Sequence, residues 1–255
     1  MGEETKYIAP NMVNTASVNQ DLSFLKLSVY LEVHGVKLPE DRYDEEFCLR
    51  TEDGRYNNLA RLLSDNSNIP VTFAMVNGTS ERDPAVIVRD FGDTCLFYAM
   101  DSVLDYGSVL NIPQADERDR IVTRKEIPLF DQKAFNAAVV NAFLHNDWAQ
   151  LNAPVFTVYK DRIEILSHGG LPEGQTQEGL FKGEHVPRNP ELAAIYRKLH
   201  AKEDAGIPWI VRTYGCSVFS FSDNWTCVAI PLHWFMFHSI SHALTEDICI
   251  CKFNI

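Results

Sequence analysis

Hydrophobic and polar positions alternate along this chain in two rhythms, and the rhythm changes tell helices from strands. An apolar stripe of helical spacing runs through "DLSFLKLSVYLEV" at 21–33, where Asp21 stands in the N-cap position, and through "RYNNLARLLSDN" at 55–66. "IPVTFAMVNG" at 69–78 is rich in β-branched residues, ends in Asn-Gly and predicts a strand, as does "VIVRDF". "DTCLFYAMDSVLDYGSVL" at 93–110 predicts a helix broken near Gly107. Residues 1–19 are polar and lack periodicity, which predicts a loose leader; 20–115 then form a small α+β region. "NIPQADERDR" at 111–120 mixes proline with charge and marks a boundary.

Beyond it, "FDQKAFNAAVVNAFLHNDW" at 130–148 is amphipathic. Asp131 can cap its first turn, Phe130 can staple against Phe135, and Phe135, Ala138, Val139, Ala142 and Phe143 form its apolar face. "APVFTVYKDRIEIL" at 153–166 reads as two strands turning at Lys160-Asp161. A glycine-rich loop, "SHGGLPEGQTQEG", follows at 167–179. "VPRNPELAAIYRKLH" predicts a helix from Pro190, and "IPWIVRTYG" a short helix with a glycine stop. "SVFSFSD" and "NWTCVAIPL" predict a hairpin. This order favours an α+β fold, a two-layer sandwich with helices on one face of a sheet.

Composition changes the picture in three ways. A net charge of −12 over 255 residues repels a phosphate backbone, so broad electrostatic binding of nucleic acid by this chain is disfavoured. "RDRIVTRK" at 118–125 is a local basic exception and reads first as a linker or edge strand. The start lacks a signal-peptide pattern and no apolar run reaches membrane length, which predicts a cytoplasmic protein with no membrane partner. The six cysteines show no CxxC pair, which predicts reduced thiols.

Candidate chemistry begins in the 130–148 helix. Ala137, Asn141 and His145 rise one above another at i, i+4 and i+8 beside the apolar stripe. Asparagine offers a neutral oxygen to a hard cation such as Mg²⁺; equally, Asn141 and His145 can be helix-end polar groups satisfied by nearby backbone. The glycines of "SHGGLPEG" permit close backbone approach to a ligand, and amides there could hold phosphate or a nucleobase. No GK[ST] follows, so it is not a P-loop, and a plain surface loop gives the same pattern.

Taken in order, these segments over about 20–232 resemble a bacterial family of ATP-binding transcriptional regulators described as RecG-like. That family joins a Schlafen/AlbA-type DNA-binding domain to a domain of the gyrase, chaperone, histidine kinase and MutL (GHKL) superfamily. The resemblance implies a Bergerat-type ATP site in a domain at 120–232, with ATP and Mg²⁺ as cofactors. Asn141 falls on the asparagine that binds Mg²⁺ through the nucleotide; His145, Asn146 and Asp147 match the residues after it. Ser167, Gly169, Gly170, Leu171 and Pro172 match the first glycine box, Arg188 and Asn189 a Pro-Arg-Asn turn, and Glu203 and Gly206 the start of a second box. Two departures follow. Ala137 stands where hydrolysing members carry the glutamate that acts as base, so the resemblance implies no catalytic residue there. "EDAGIPWIV" is two residues short in the second box. The expected function is an ATP-binding module degenerate for hydrolysis. The alternatives are a weak ATPase that recruits His145 or a nearby carboxylate, and a non-catalytic interaction or dimerisation module with a filled site. Expected partners are a nucleotide, a second copy of the chain, and DNA only through a missing or partner domain. In the 233–255 extension, His238, His242, Cys249 and Cys251 could form a soft-metal site, but a packing tail reads better.

Overall fold

The computed structural model describes residues 11–112, 114–116, 125–200 and 206–233, with backbone alone at 114–116, 125 and 126. The helices are α1 Leu25–Val33, α2 Tyr43–Glu46, α3 Asn58–Leu63, α4 Leu96–Leu110, α5 Gln132–His145, α6 Gln177–Lys182, α7 Pro190–Leu199 and α8 Ile207–Tyr214. The strands are β1 Thr72–Val76, β2 Ala85–Asp90, β3 Gln114–Asp116, β4 Lys125–Ile127, β5 Val155–Val158, β6 Arg162–His168, β7 Phe219–Phe221 and β8 Trp225–Pro231. Glu203, the basic residues Arg118, Arg120 and Arg124, and His238, His242, Cys249 and Cys251 lie outside the described residues.

One six-stranded sheet, in the order β2-β1-β5-β6-β8-β7, organises the chain. β1 pairs parallel with β5, and every other neighbouring pair in that sheet is antiparallel. Alternation along the strands sorts the faces. Phe73, Phe156, Ile163, Ile165 and Ile230 are buried on one face, while Val86, Val88 and Val155 on the other remain exposed. The buried face meets α4 and α5: Phe73 packs edge-on against Tyr106, and Phe143 stacks on Phe156 at 5.7 Å. The observed architecture is a mixed α+β fold with helices on one side of the sheet.

The stretches before and after residues 111–120 share this sheet and its core. Asn111, buried at the end of α4, donates to the Phe130 carbonyl at 3.1 Å and accepts from the Phe130 amide at 3.0 Å. Tyr30 Oη lies 3.2 Å from His200 Nε2, joining α1 to the end of α7.

Four sequence expectations change. Asp21 does not cap α1; the Asp65 carboxylate, 40 residues on, accepts from the amides of Leu25 at 3.0 Å and Lys26 at 2.6 Å. Gly107 does not break α4. A side-chain carbon there would sit 2.1 Å from Phe135 Cε1, so glycine lets α5 approach closely without interrupting the helix. Residues 11–19 are not loose: Met12 is buried, Asn57 donates to the Val13 carbonyl at 3.0 Å, and Ser17 donates to Tyr56 O. The 167–179 loop is also shorter than its composition suggests. β6 extends to His168, and α6 starts at Gln177 with Thr176 accepting from the Gly179 amide.

The Asp65 cap gives a direct test. Burial raises the Asp65 pKa, but bonds from Lys26, Ser23 and Leu25 outweigh it and hold it below the usual value. Its stabilising contribution is therefore present above the unfolded-state pKa and is lost as pH falls through the lowered one. Asp65→Ala should cost about 1–2 kcal/mol in denaturant unfolding at neutral pH, shrinking in acid, whereas Asp21→Ala should cost under about 0.5 kcal/mol.

Candidate functional site

The polar junction at the C-terminal end of α5 brings together most of the residues singled out from the sequence. The start of α5 follows the expectation. Asp131 Oδ1 accepts from the Ala134 amide at 2.8 Å and from Trp209 Nε1 at 3.0 Å, and the Phe130 and Phe135 rings lie 5.2 Å apart. Along the helix, Ala137 is 5% exposed, while Asn141 is half-buried. No hydrogen bond joins the Asn141 side chain to another described residue.

Asn146 ends the helix and is completely buried. Its Nδ2 donates to the Asn152 carbonyl at 2.7 Å, and its Oδ1 accepts from the His168 amide at 2.9 Å. The Asp147 amide returns a bond to the His168 carbonyl at 2.9 Å, and the Asp147 carboxylate accepts from Ala149 N at 3.0 Å. Asn189, also buried, donates from Nδ2 to the carbonyls of Leu144 at 2.9 Å and Asn146 at 2.8 Å. These are carbonyls that a helix end leaves without intrahelical partners. Arg188 donates to the Gly170 carbonyl, and its buried Nε is without a partner among the described residues.

The glycine loop is held from within. The Gly169 amide donates to Asn224 O at 2.7 Å, and the Gly170 amide to Asp223 O at 3.1 Å. Gly169 has φ +86°, and a side chain there would meet Arg188 at 2.9 Å and Asp147 at 3.1 Å. A side-chain carbon on Gly170 would lie 2.5 Å from Ser222 O. The close approach that these glycines permit is therefore to the β7–β8 turn and Arg188. The expectation of free amides for a phosphate is corrected accordingly, because both are engaged. Ser167 is buried, with Oγ 3.4 Å from Thr226 O. Leu171 and Pro172 are half-buried, and Pro172 O accepts from Gln175 N on the way to α6. Gly206 heads α8, whose Trp209 reaches Asp131 at the far end of α5 from His145.

His145 meets a residue that the sequence did not single out. Its Nε2 lies 3.1 Å from His185 Nε2, with ring centroids 4.5 Å apart and planes at 81°. Burial, then the charges of His185 and Arg188, push the His145 pKa down to about 3. Burial and Arg197 also lower that of His185. "KGEHVPR" is an unpatterned loop, and nothing in its spacing pairs it with α5. A cavity of about 960 Å³ opens elsewhere, bordered by residues 13–16, Cys48, residues 50–53 and Glu191.

The fold and junction define a sheet-and-helix module with a polar, tightly bonded crossing of helix end, glycine turn and Arg-Asn turn. A family model described as "Putative ATP-dependent DNA helicase recG C-terminal" matches residues 153–215, which contain the glycine turn, Arg188 and Asn189. This segment is thus similar to an ATPase-type, RecG-like region. The crystal structure of the DIP2311 protein from Corynebacterium diphtheriae is similar in fold, with TM-score 0.61 at 15% identity over 87% of this chain. The chain spans 48% of that protein's length. A comparison with curated proteins finds no match. No helix among the described residues is long and apolar enough to cross a membrane.

Two substitutions test this geometry. Asn189→Ala strands two helix-end carbonyls and should cost about 1–3 kcal/mol in urea unfolding. The folded His145 resists protonation that an unfolded chain accepts near its ordinary 6.5, so stability should fall as pH drops below 6.5 towards the lowered value. His145→Gln should flatten that acid-side slope of stability against pH.

Proposed function

We propose that this chain is an ATP-binding module of the GHKL type that has lost the hydrolytic step. The observation that carries the reading is the pairing of Asn141 and Ala137 on α5, beside a segment similar to an ATPase-type family. The half-buried Asn141 amide has no hydrogen bond to another described residue, so its oxygen is available to a hard cation. One turn earlier, Ala137 is buried and carries no proton acceptor for an attacking water. His145 does not replace it as base, since a pKa of about 3 makes it a poor acceptor of protons at neutral pH. ATP with Mg²⁺ supplies a charged phosphate chain whose metal the Asn141 oxygen would ligate. The Mg²⁺ half of the ligand thus fits the residues present. The Gly169 and Gly170 amides do not fit a phosphate cradle, because they bond Asn224 and Asp223.

In the wider reading the module serves a transcriptional regulator in the cytoplasm, and a different domain or partner contacts DNA. The −12 charge of this chain supports that division of labour. A second reading is a non-catalytic interaction module whose old site is filled. It is favoured by Arg188, which lies against Gly169 and bonds the Gly170 carbonyl.

Titration calorimetry separates the two. Mg–ATP should bind with a Kd below about 1 mM, and Asn141→Ala should weaken it by about tenfold, a loss of roughly 1.4 kcal/mol. The loss should be much smaller without Mg²⁺. Absence of binding heat at millimolar nucleotide overturns the ATP reading and leaves the filled module.

A further inference from the structure

His145 and His185 come from separate elements, the last turn of α5 and the loop between α6 and α7, yet their Nε2 atoms are 3.1 Å apart. Two nitrogens held ~2.0–2.1 Å from one ion, at angles between square-planar and tetrahedral, stand about 2.9–3.4 Å apart. The observed separation falls inside that window. A linear Nε2–H···Nε2 hydrogen bond of the same length would hold the ring centroids at roughly 5.4 Å. They are 4.5 Å apart, so the nitrogen axes are inclined to the line between the two atoms. Two imidazoles sharing an ion at ~2.05 Å, with nitrogens this far apart, would hold their centroids at roughly 4.8 Å, closer to the observed 4.5 Å than the linear bond is.

We propose that His145 and His185 form a binding site for a borderline divalent transition-metal ion such as Zn²⁺ or Ni²⁺. Both rings are neutral at physiological pH, because burial and nearby cations disfavour their protonation, and neutral imidazole is the ligating form. His185 sits on an exposed loop, so the pair is open to solvent on that side. Among the described residues no third His, Cys, Asp or Glu completes a set, so water would fill the other coordination positions. Arg188 and Arg197 set an electrostatic limit on affinity, so the site is one of exchangeable rather than permanent metal. Occupancy fastens the loop after α6 to the end of α5. That loop leads directly into Arg188 and Asn189, which hold the glycine turn and the helix end. Mg²⁺, which prefers oxygen ligands, competes poorly for these nitrogens.

Ni²⁺ titration of the full chain without nucleotide tests this, since nickel accepts imidazole readily and competes less for cysteine than zinc does. Saturable binding of one ion per chain is expected, with a Kd below about 1 mM. His185→Ala and His145→Gln should each weaken it by about tenfold or more, and millimolar Mg²⁺ should leave it unchanged. His185→Ala lies on the exposed loop and decides the matter alone if the α5 variant fails to fold. Absence of saturable binding, or affinity unchanged in His185→Ala, overturns the site and leaves a histidine–histidine hydrogen bond.

Discussion

Everything at the candidate site depends on one buried side chain, Asn146. Its amide faces two ways, donating to the Asn152 carbonyl and accepting from the His168 amide, and its own carbonyl receives Asn189. In that completely buried position an unmet amide would cost about 1–3 kcal/mol, so the helix end, the strand end and the Arg-Asn turn are held to one arrangement. The direction in which α5 presents Asn141 and His145 follows from this constraint. So does the place of the glycine turn, because His168 is the residue immediately before Gly169.

The same junction explains why the polar residues here have two meanings. Asn189, Arg188 and the Gly169 and Gly170 amides could each meet a ligand, yet each is bonded within the protein. Asn141 and the histidine pair differ, since their ligating atoms are not committed to the backbone. The chemistry proposed for them is metal-centred on both counts: an amide oxygen suited to Mg²⁺, and imidazole nitrogens suited to softer ions. In the proposed reading Ala137 separates binding from turnover, because a buried methyl group can neither accept a proton nor orient water.

Much of the fold was legible because its signals are local. The apolar stripe of α5, the turn at Lys160-Asp161 and the proline that opens α7 each encode their element within a few residues. What the sequence hid was non-local. Asp65 caps α1 from 40 residues away, and Gly107 serves the ring of Phe135 on another helix. α6 lay concealed in a segment whose glycines suggested only loop, although Thr176 supplies a sound N-cap. At the site, the resemblance singled out Asp147, Gly169, Gly170, Arg188 and Asn189, residues that the structure brings together. It could not say that they satisfy one another, because mutual bonding between distant turns leaves no periodic trace. His185 escaped for the same reason.

The central claim is that ATP occupancy and ATP hydrolysis have come apart in this chain. Phosphate release at saturating Mg–ATP, measured beside nucleotide occupancy in the same sample, tests it most directly. The account predicts protein loaded with nucleotide and no phosphate release above the protein-free blank. Sustained release that disappears in Asn141→Ala would contradict it and restore a working base that the position of Ala137 does not provide.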